Sequence, residues 1–280
     1  MQHGRRGHGA QAHGDGPRRL VARGSRGTAD VIHENLRIEI LSGVIAPGSE
    51  LPQAQVAKDF GVSRGPVREA FRLLQREGLI EAEVNHRARV TELSVQEVEH
   101  VYALRVANEA LALRVSVPRF TTADLDELDR LVLAVIEVQG RDFTSWDEQH
   151  QQFHSLLLSH AGRRMRRSLS QWAEYTARYR RVYVADETGG WTLGAPEHAQ
   201  IAQACRARDE ATAVSLLARH LSRAALTLIA TMDPTHDPTL VRAAVRQVTA
   251  SVDVPYAQAP LDRPQASEPR GRRTTSSRPA

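Results

Sequence analysis

Residues 53–77, QAQVAKDFGVSRGPVREAFRLLQRE, have the pattern of two short helices joined by a tight turn. The first helix is expected from about Gln53 to Phe60, and its apolar residues share one face: Val56, Ala57 and Phe60. Gly61 ends this helix, because glycine readily takes the left-handed conformation that a helix end requires. Ser63 is then a suitable N-cap for a second helix. The stretch therefore predicts a helix-turn-helix.

The second helix has one apolar face and one charged face. Pro66 falls in its first turn, where the missing N–H costs nothing. Its apolar residues recur at helical spacing, Val67, Ala70, Phe71 and Leu74, and three arginines follow one another on the open side, Arg64, Arg68 and Arg72. Most exposed arginines are solvated surface charges, but an arginine can also bind a guanine edge or a phosphate through two donors. We expect this row to contact DNA in the major groove, with Ser63 contacting the DNA backbone.

The pattern GVSRGPVREA at 61–70, preceded by LSGVIAPGSEL at 41–51 and followed by EGLI at 77–80, resembles the winged helix-turn-helix of the GntR family of bacterial transcription regulators. An amphipathic helix from Thr28 to about Gly43 would come first, with its apolar side chains inward: Ile32, Leu36, Ile40 and Leu41. The alternating segments LIEAEV and RVTEL predict two short strands with a wing between them. The resemblance implies a DNA-binding domain over residues 28–91.

The tip of this wing carries basic side chains, His86, Arg87 and Arg89, which we expect near the minor groove or the phosphates. The wing of the GntR family usually has a glycine near position 87, and this chain has none. The wing tip is therefore where the chain departs from the family pattern.

Charge is distributed unevenly along the chain. The formal net charge is +4 and the isoelectric point is about 9.7. Residues 1–27 carry +5 and residues 262–280 carry +3, which leaves −4 between them. Both ends have few apolar residues, so we expect disordered tails over 1–27 and 255–280. DNA binding therefore depends on the local arginine row rather than on overall charge.

The composition excludes several classes of protein. Hydrophobic residues make up 41% of the chain, which is enough for an ordinary core, and no stretch of eighteen apolar residues could span a membrane. The N-terminal segment lacks the apolar core of a signal peptide. The single Cys205 allows no internal disulfide. We expect a cytoplasmic protein with no membrane partner.

The chain beyond residue 92 has the pattern of helices only. Ser94 to Glu97 forms a capping box at the start of a long helix that ends at Pro118, with an inward face of Val98, Val101, Leu104, Leu111 and Val115. Further helix starts are expected at Thr121, Ser145, Arg164, Pro196 and Asp209. The pattern predicts an all-helical bundle over 92–235, with a possible extra helix within 236–254.

Histidines occupy inward positions of this predicted bundle. His150 and His154 lie one turn apart on one helix, and His198 and His220 lie on the apolar faces of two others. A single inward histidine is more often a hydrogen-bonded core residue than a ligand. Four on three helices favour a divalent metal site, because imidazoles converging from facing helices are how bundles bind Zn²⁺, Ni²⁺ or Fe²⁺.

The same segments resemble the ligand-sensing FCD domain of the FadR-like branch of the GntR family, through LRVANEAL, QQFH, PEHAQIAQA and ARHL between about 93 and 232. The resemblance implies a divalent metal bound by His154, His198 and His220 and by an aspartate one turn before His154. His150 stands in place of that aspartate, so His150, Asp147 or water could complete the site; we favour His150. The resemblance also implies a small carboxylate effector, and we expect Arg105 to be a second contact for it.

Three classes of function follow from these features. The first is a homodimeric transcription regulator, most simply a repressor, that binds an inverted repeat in double-stranded DNA and is not an enzyme. The second is a metalloenzyme with water at an open metal position, although no inward Glu or Asp other than Asp147 or Glu109 accompanies the ligands as a general base. The third is a nonspecific nucleic-acid-binding protein that uses its basic tails. Two separate signatures in the expected order favour the first class.

Overall fold

A computed structural model describes residues 27–81, 88–139, 141, 143–183 and 194–250. Within them lie ten α-helices: α1 (Thr28–Leu41), α2 (Gln53–Phe60), α3 (Arg64–Arg76), α4 (Val95–Ser116), α5 (Thr122–Val138), α6 (Phe143–Leu157), α7 (Arg163–Tyr183), α8 (Ala195–Arg206), α9 (Glu210–Met232) and α10 (Thr239–Ala250). Three short strands are β1 (Glu50–Leu51), β2 (Ile80–Glu81) and β3 (Ala88–Val90). The mainly helical class predicted from the sequence is confirmed. The expected tails and the wing tip at 82–87 lie outside the described residues.

The N-terminal part is a winged helix-turn-helix. Helices α1, α2 and α3 share one hydrophobic core, to which the sheet adds Leu51, Ile80, Ala88 and Val90. Strand β3 is central and antiparallel to both neighbours, with Glu50 opposite Arg89 on one side and Ile80 opposite Val90 on the other. Strands β2 and β3 were expected from their alternation. Strand β1 was not, because two residues are too few to show a period.

The two predicted serine caps differ from expectation in their hydrogen bonds. Gly61 ends α2 with φ +65°, as predicted. Ser63 is the N-cap of α3, but its side chain makes no capping hydrogen bond. The hydroxyl of Ser94 accepts from the backbone N–H of Glu97 at 3.4 Å, whereas its own N–H donates to the Tyr179 hydroxyl at 3.3 Å. The reciprocal half of the expected capping box is therefore replaced by a contact with α7.

The buried face predicted for α4 is wrong. Of the five residues expected inside, only Val98 is buried; Leu104 and Leu111 are 45% and 49% exposed, and Val101 and Val115 are half-buried. The buried face instead combines small and apolar residues with polar ones: Glu99, Tyr102, Arg105, Val106, Glu109, Ala110, Ala112, Leu113 and Ser116. The polar residues can be buried because each charge has a partner on a neighbouring helix or one turn away.

Helices α4 to α10 form the bundle. Helix α9 packs along α4 and α8, and α10, the extra helix expected from the sequence, packs along α4 and α9. Helix α5 buries one apolar face, formed by Leu125, Leu128, Leu131, Val132 and Val135, and Asp209 caps α9 through the N–H of Thr212. Among the described residues, α9 alone is long and apolar enough to cross a membrane, and half of that window is buried inside the protein. Its composition is that of a core helix.

Candidate functional site

The recognition helix α3 presents its arginine row to solvent. Arg64, Arg68 and Arg72 are exposed along one side, while the opposite side is buried against α1 and α2. Ser63 is exposed at the helix start. The only ion pair of the row within the described residues joins Arg72 to Glu69 at 3.4 Å, on the same helix. The row is therefore available to an anionic partner.

The basic residues expected in the wing are only partly described. His86 and Arg87 lie outside the described residues. Arg89 lies on β3, where its guanidinium donates to the Gly48 carbonyl at 2.7 Å and to Glu50 at 3.2 Å. These contacts hold Arg89 against β1, so it differs from Arg64 and Arg68 of α3, which form no ion pair within the described residues.

The four predicted histidines converge in the bundle. His150 and His154 lie one turn apart on α6, His198 lies near the start of α8, and His220 lies midway along α9. All four are buried, and one ring nitrogen from each lies within 4.8 Å of the others. The Nε2 atoms of His154 and His220 are 3.2 Å apart. Two nitrogens each about 2.05 Å from one tetrahedral ion would be about 3.3 Å apart, so this spacing fits a shared metal ion.

A carboxylate orients His220 from the side away from the cluster. The Nδ1 of His220 lies 2.7 Å from Glu197, which Arg223 holds through two further hydrogen bonds of 2.7 and 2.6 Å. When Nδ1 donates to Glu197, the lone pair on Nε2 faces the other histidines. This arrangement is typical of metal-binding histidines, whose second nitrogen is usually held by a carboxylate.

A second carboxylate lies beside His154. Glu109 Oε2 is 3.7 Å from His154 Nδ1, and Glu109 Oε1 accepts from Arg105 at 2.6 Å. Burial alone would raise the pKa of Glu109, but Arg105 and His154 outweigh burial and lower it to about 2. Glu109 is therefore ionised at neutral pH, and Arg105 balances its charge.

His198 supplies the test of whether a metal ion fits. Its side chain is 1% exposed, and neither ring nitrogen has a hydrogen-bond partner among the described residues. A buried imidazole without any partner is costly, because its N–H and its lone pair have both lost their bonds to water. Gly194 closes over the same ring, since a Cβ there would lie 3.2 Å from His198 Cε1. The cluster could thus hold a metal ion.

The protonation of the four imidazoles suits metal binding. Burial lowers the pKa of His150, His198 and His220, and for His150 and His198 the pKa falls well below the ordinary value. Burial also lowers the pKa of His154 to about 4, against an opposing effect of Glu109. The imidazoles are neutral at physiological pH, and a neutral imidazole is the form that binds metals.

Asp147, the alternative fourth ligand, has other partners. Its carboxylate accepts from Arg180 at 2.8 Å and from Gln151 at 2.7 Å. Among the described residues, the cluster of ligand atoms contains the four histidines and not Asp147. His150, one turn further along α6, takes the inward position instead.

Two cavities adjoin the cluster. The larger, of about 290 Å³, is lined by His154, and the smaller, of about 40 Å³, by His198 and His220; His150 lines both. Arg105 also lines both, and it donates to Glu109 and, at 2.7 Å, to Thr176. Arg105 is thus placed at the predicted site, although its charge is already balanced by Glu109.

The sequence prediction missed the residues that support the ligands. Glu197 directly precedes His198, and Arg223 follows His220 by one turn, but neither spacing indicates a contact between α8 and α9. Gly194 lies before a helix start, where glycine is common for other reasons. Only the folded arrangement shows their role.

Comparison with known proteins agrees with this architecture. The model described as "Bacterial regulatory proteins, gntR family" matches residues 28–90, and the FCD domain model matches residues 100–223. The "Uncharacterized HTH-type transcriptional regulator YdhC" of Bacillus subtilis (strain 168) is 27% identical over 202 residues, covering 68% of this chain and 86% of that protein. The "HTH-type transcriptional repressor RspR" of Escherichia coli (strain K12) is 32% identical over 130 residues, covering 45% and 56%.

The solved structure titled "E. coli McbR/YncC" has the same fold, with a TM-score of 0.64 at 18% identity, over 74% of this chain and all of that one. The family and its relatives indicate a transcription regulator rather than the metalloenzyme considered above. Together, the helix-turn-helix, the helical bundle and the two family matches show that the chain belongs to the GntR family of bacterial transcription regulators and carries an FCD domain.

Proposed function

We propose that this protein is a homodimeric repressor whose DNA affinity is controlled by a small organic acid bound at a divalent metal ion. The observation that carries the proposal is the buried four-histidine cluster. A carboxylate lies beside His220, and the ring nitrogens of His198 have no hydrogen-bond partner within the described residues. His150, His154, His198 and His220 would hold the ion. It would supply a positive centre that attracts a carboxylate.

The charges around the cluster support an anionic effector. The neighbouring carboxylates are each paired with an arginine: Glu109 with Arg105, Glu197 with Arg223, and Asp147 with Arg180. Four neutral imidazoles and three balanced pairs leave the charge of a divalent ion uncompensated in a poorly hydrated interior. An anion is the natural completing ligand, because unbalanced charge is costly at low dielectric.

Helix α7 offers a physical connection between this site and the DNA-binding domain. Its residue Glu174 lines the larger cavity and forms an ion pair with Arg37 of α1. Arg37 also donates at 2.9 Å to Glu77, the residue that follows α3. A ligand that moves α7 would act on the end of α3 through this chain of ion pairs. Operator affinity would then change according to the ratio of the ligand's affinities for the protein with α7 in its original and in its moved position.

Helix α7 is also bonded to the DNA-binding domain further along. Arg178 donates to the Thr91 carbonyl at 2.6 Å, and Arg181 donates to the Leu41 carbonyl at 2.7 Å. Tyr175 packs against both the winged-helix core and the bundle core. Because of these contacts, we expect the DNA-binding domain to move together with α7.

Support for a homodimer comes from α4. Leu104 and Leu111 are exposed two turns apart, with Val101 and Val115 continuing the same stripe at spacings of three and four residues. This is the spacing by which two helices pack. A two-fold dimer would present the α3 helix of each protomer to an inverted repeat in cytoplasmic DNA. The arginines Arg64 and Arg68 would then contact base edges or phosphates in each half-site.

The test uses metal analysis together with DNA binding. Protein reconstituted with Zn²⁺ or Ni²⁺ and then desalted should retain about one ion per chain, whereas His198→Ala should retain much less. Mobility shift on a footprinted site should show that organic acids weaken operator binding by the wild type but not by His198→Ala. Absence of retained metal, together with acids that change neither DNA binding nor melting temperature, would refute the sensor proposal while leaving the regulator assignment intact.

The same mobility-shift assay distinguishes specific operator binding from the competing proposal, nonspecific binding through the basic tails. Operator binding by the arginine row should survive competitor DNA at moderate salt. Binding by tail charges alone should be lost, because it depends on counterion release.

A further inference from the structure

We propose that the effector carries a second anionic group, which Arg166 and Arg167 bind at the outer end of the larger cavity. This inference rests on the proposed function, since it describes the other end of the same ligand. It narrows the class of effector from organic acids in general to small dianionic acids.

The start of α7 concentrates positive charge where a helix disfavours it. Four of its first five residues are arginines: Arg163, Arg164, Arg166 and Arg167. The first turn is the positive end of the helix dipole, which attracts anions and disfavours cations. All four are exposed, and within the described part of the chain none has a carboxylate within 4.0 Å. Their charges are therefore available to an external anion.

Two of these arginines share a cavity with buried, unpartnered polar groups. Arg166 and Arg167 line the larger cavity together with His150 and His154. The two histidines are 7% and 5% exposed, and the Nδ1 of each lacks a hydrogen-bond partner among the described residues. The Oε2 of Glu109, which lines the same cavity, also lacks one. The cavity therefore combines a polar inner end with a cationic outer end.

Charge balance distinguishes Arg166 and Arg167 from the other charged groups that line this cavity. Those groups are all held in ion pairs: Arg105 with Glu109, Arg180 with Asp147, and Glu174 with Arg37. Within the described lining, Arg166 and Arg167 thus add two uncompensated charges at exposed positions, whereas the histidines of the proposed metal centre are buried. A ligand with an anionic group at each end matches this distribution, whereas a monocarboxylate would leave both arginines unpaired.

The size of the cavity limits the ligand. A volume of about 290 Å³ suits a small acid rather than a larger cofactor. Gluconate and glucarate are suitable probes of this size, because they share a six-carbon chain but carry one and two carboxylates. A third probe, 6-phosphogluconate, places a phosphate, with its somewhat larger negative charge, at the end where glucarate has its second carboxylate. Glucarate and 6-phosphogluconate are here called dianions because each carries two anionic groups.

The experiment is calorimetric titration of these three acids into the full-length, zinc-reconstituted protein. The test variant is Arg166→Gln/Arg167→Gln. The matched control is Arg163→Gln/Arg164→Gln, which removes the same charge from the same helix end without changing the described lining of the cavity. Measured zinc content and melting temperature confirm that each variant is folded and loaded.

We expect the wild type to bind at least one of the two dianions roughly tenfold or more tightly than gluconate, because arginine adds charge-assisted hydrogen bonds. The test variant should bind all three acids with about the wild-type affinity for gluconate, and the control should resemble the wild type. Preference for both dianions identifies a general anion site, and preference for 6-phosphogluconate alone identifies a phosphate site.

The inference is overturned if the wild type shows no preference for a dianion, if both double variants lose the preference equally, or if none of the acids binds. Repeating the titrations with His198→Ala distinguishes failure of this inference from failure of the proposed function. Dianion binding that persists there at full strength refutes the metal-centred proposal but retains the arginine site. Zinc-dependent gluconate binding without any dianion preference refutes the inference alone.

Discussion

Replacement of Glu197 by glutamine should weaken zinc binding although Glu197 is not one of the four ligands. Glu197 accepts from His220 Nδ1 at 2.7 Å and from two nitrogens of Arg223 at 2.7 and 2.6 Å. It thereby holds the ring of His220 in the orientation that turns Nε2 toward the other histidines. Glu197→Gln keeps the shape and one acceptor but removes the negative charge.

The expected loss of zinc affinity depends on Glu197 being ionised. Burial would raise the pKa of Glu197, but the hydrogen bonds from His220 and Arg223 outweigh burial and lower it to about 2, so Glu197 is ionised at neutral pH. Loss of a partner that orients a metal-binding histidine typically costs about 10–100-fold in metal affinity. This range corresponds to roughly 1.4–2.8 kcal/mol. The variant also leaves Arg223 without its charged partner, which adds to the loss.

The assay is competition for zinc against a chromophoric chelator at pH 7.5, with melting temperatures of the metal-free proteins as a check on folding. The matched control is Glu210→Gln, which removes the same charge from a half-buried position away from the cluster, where Glu210 pairs with Arg114 at 3.5 Å. The control should bind zinc like the wild type. A zinc affinity of Glu197→Gln within twofold of the wild type, in a protein that melts normally, would refute the supporting role of this carboxylate.

Four further predictions concern other parts of the molecule. Arg68→Ala should weaken operator binding by about 1–3 kcal/mol in mobility shift, because it removes the proposed contact with a base edge. Leu104→Glu should convert the proposed dimer to a monomer in light scattering, because it places charge in the apolar stripe of α4. Arg37→Met should lower the free energy of unfolding in urea by about 1 kcal/mol, since its partly exposed ion pairs are screened. Cys205, whose pKa burial raises to about 12, should react with a disulfide reagent at pH 8 only after unfolding.

Each of these predictions has a control or a contradicting result. Arg76→Ala, in the last turn of α3, should affect operator binding less than Arg68→Ala, and equal losses would argue against base contacts. Leu133→Glu alters an exposed leucine of α5 and should remain dimeric. The destabilisation by Arg37→Met should shrink in 1 M salt, where the Debye length is about 3 Å, and an undiminished loss would contradict an electrostatic cause. Rapid labelling of native protein would show that Cys205 is accessible.

The sequence by itself determined the local features of the fold. Helix ends at Gly61, Thr121 and Asp209 were predictable, because a cap or a left-handed glycine acts within one turn of the chain. The apolar face of α5 was predictable, since one side of that helix is consistently apolar. The four histidines were also identifiable, because their inward positions follow from helical periodicity alone.

The tertiary structure decided which surfaces meet. Helix α4 has apolar residues on more than one side, and periodicity cannot show that Leu104 is exposed while Arg105 and Glu109 are buried as an ion pair. The position of Asp147 depends on Arg180, 33 residues away, and the N–H of Ser94 donates to Tyr179, 85 residues away. Such contacts depend on how helices are arranged in space. A buried polar side chain is stable only beside its partner, and a sequence pattern does not specify where that partner lies.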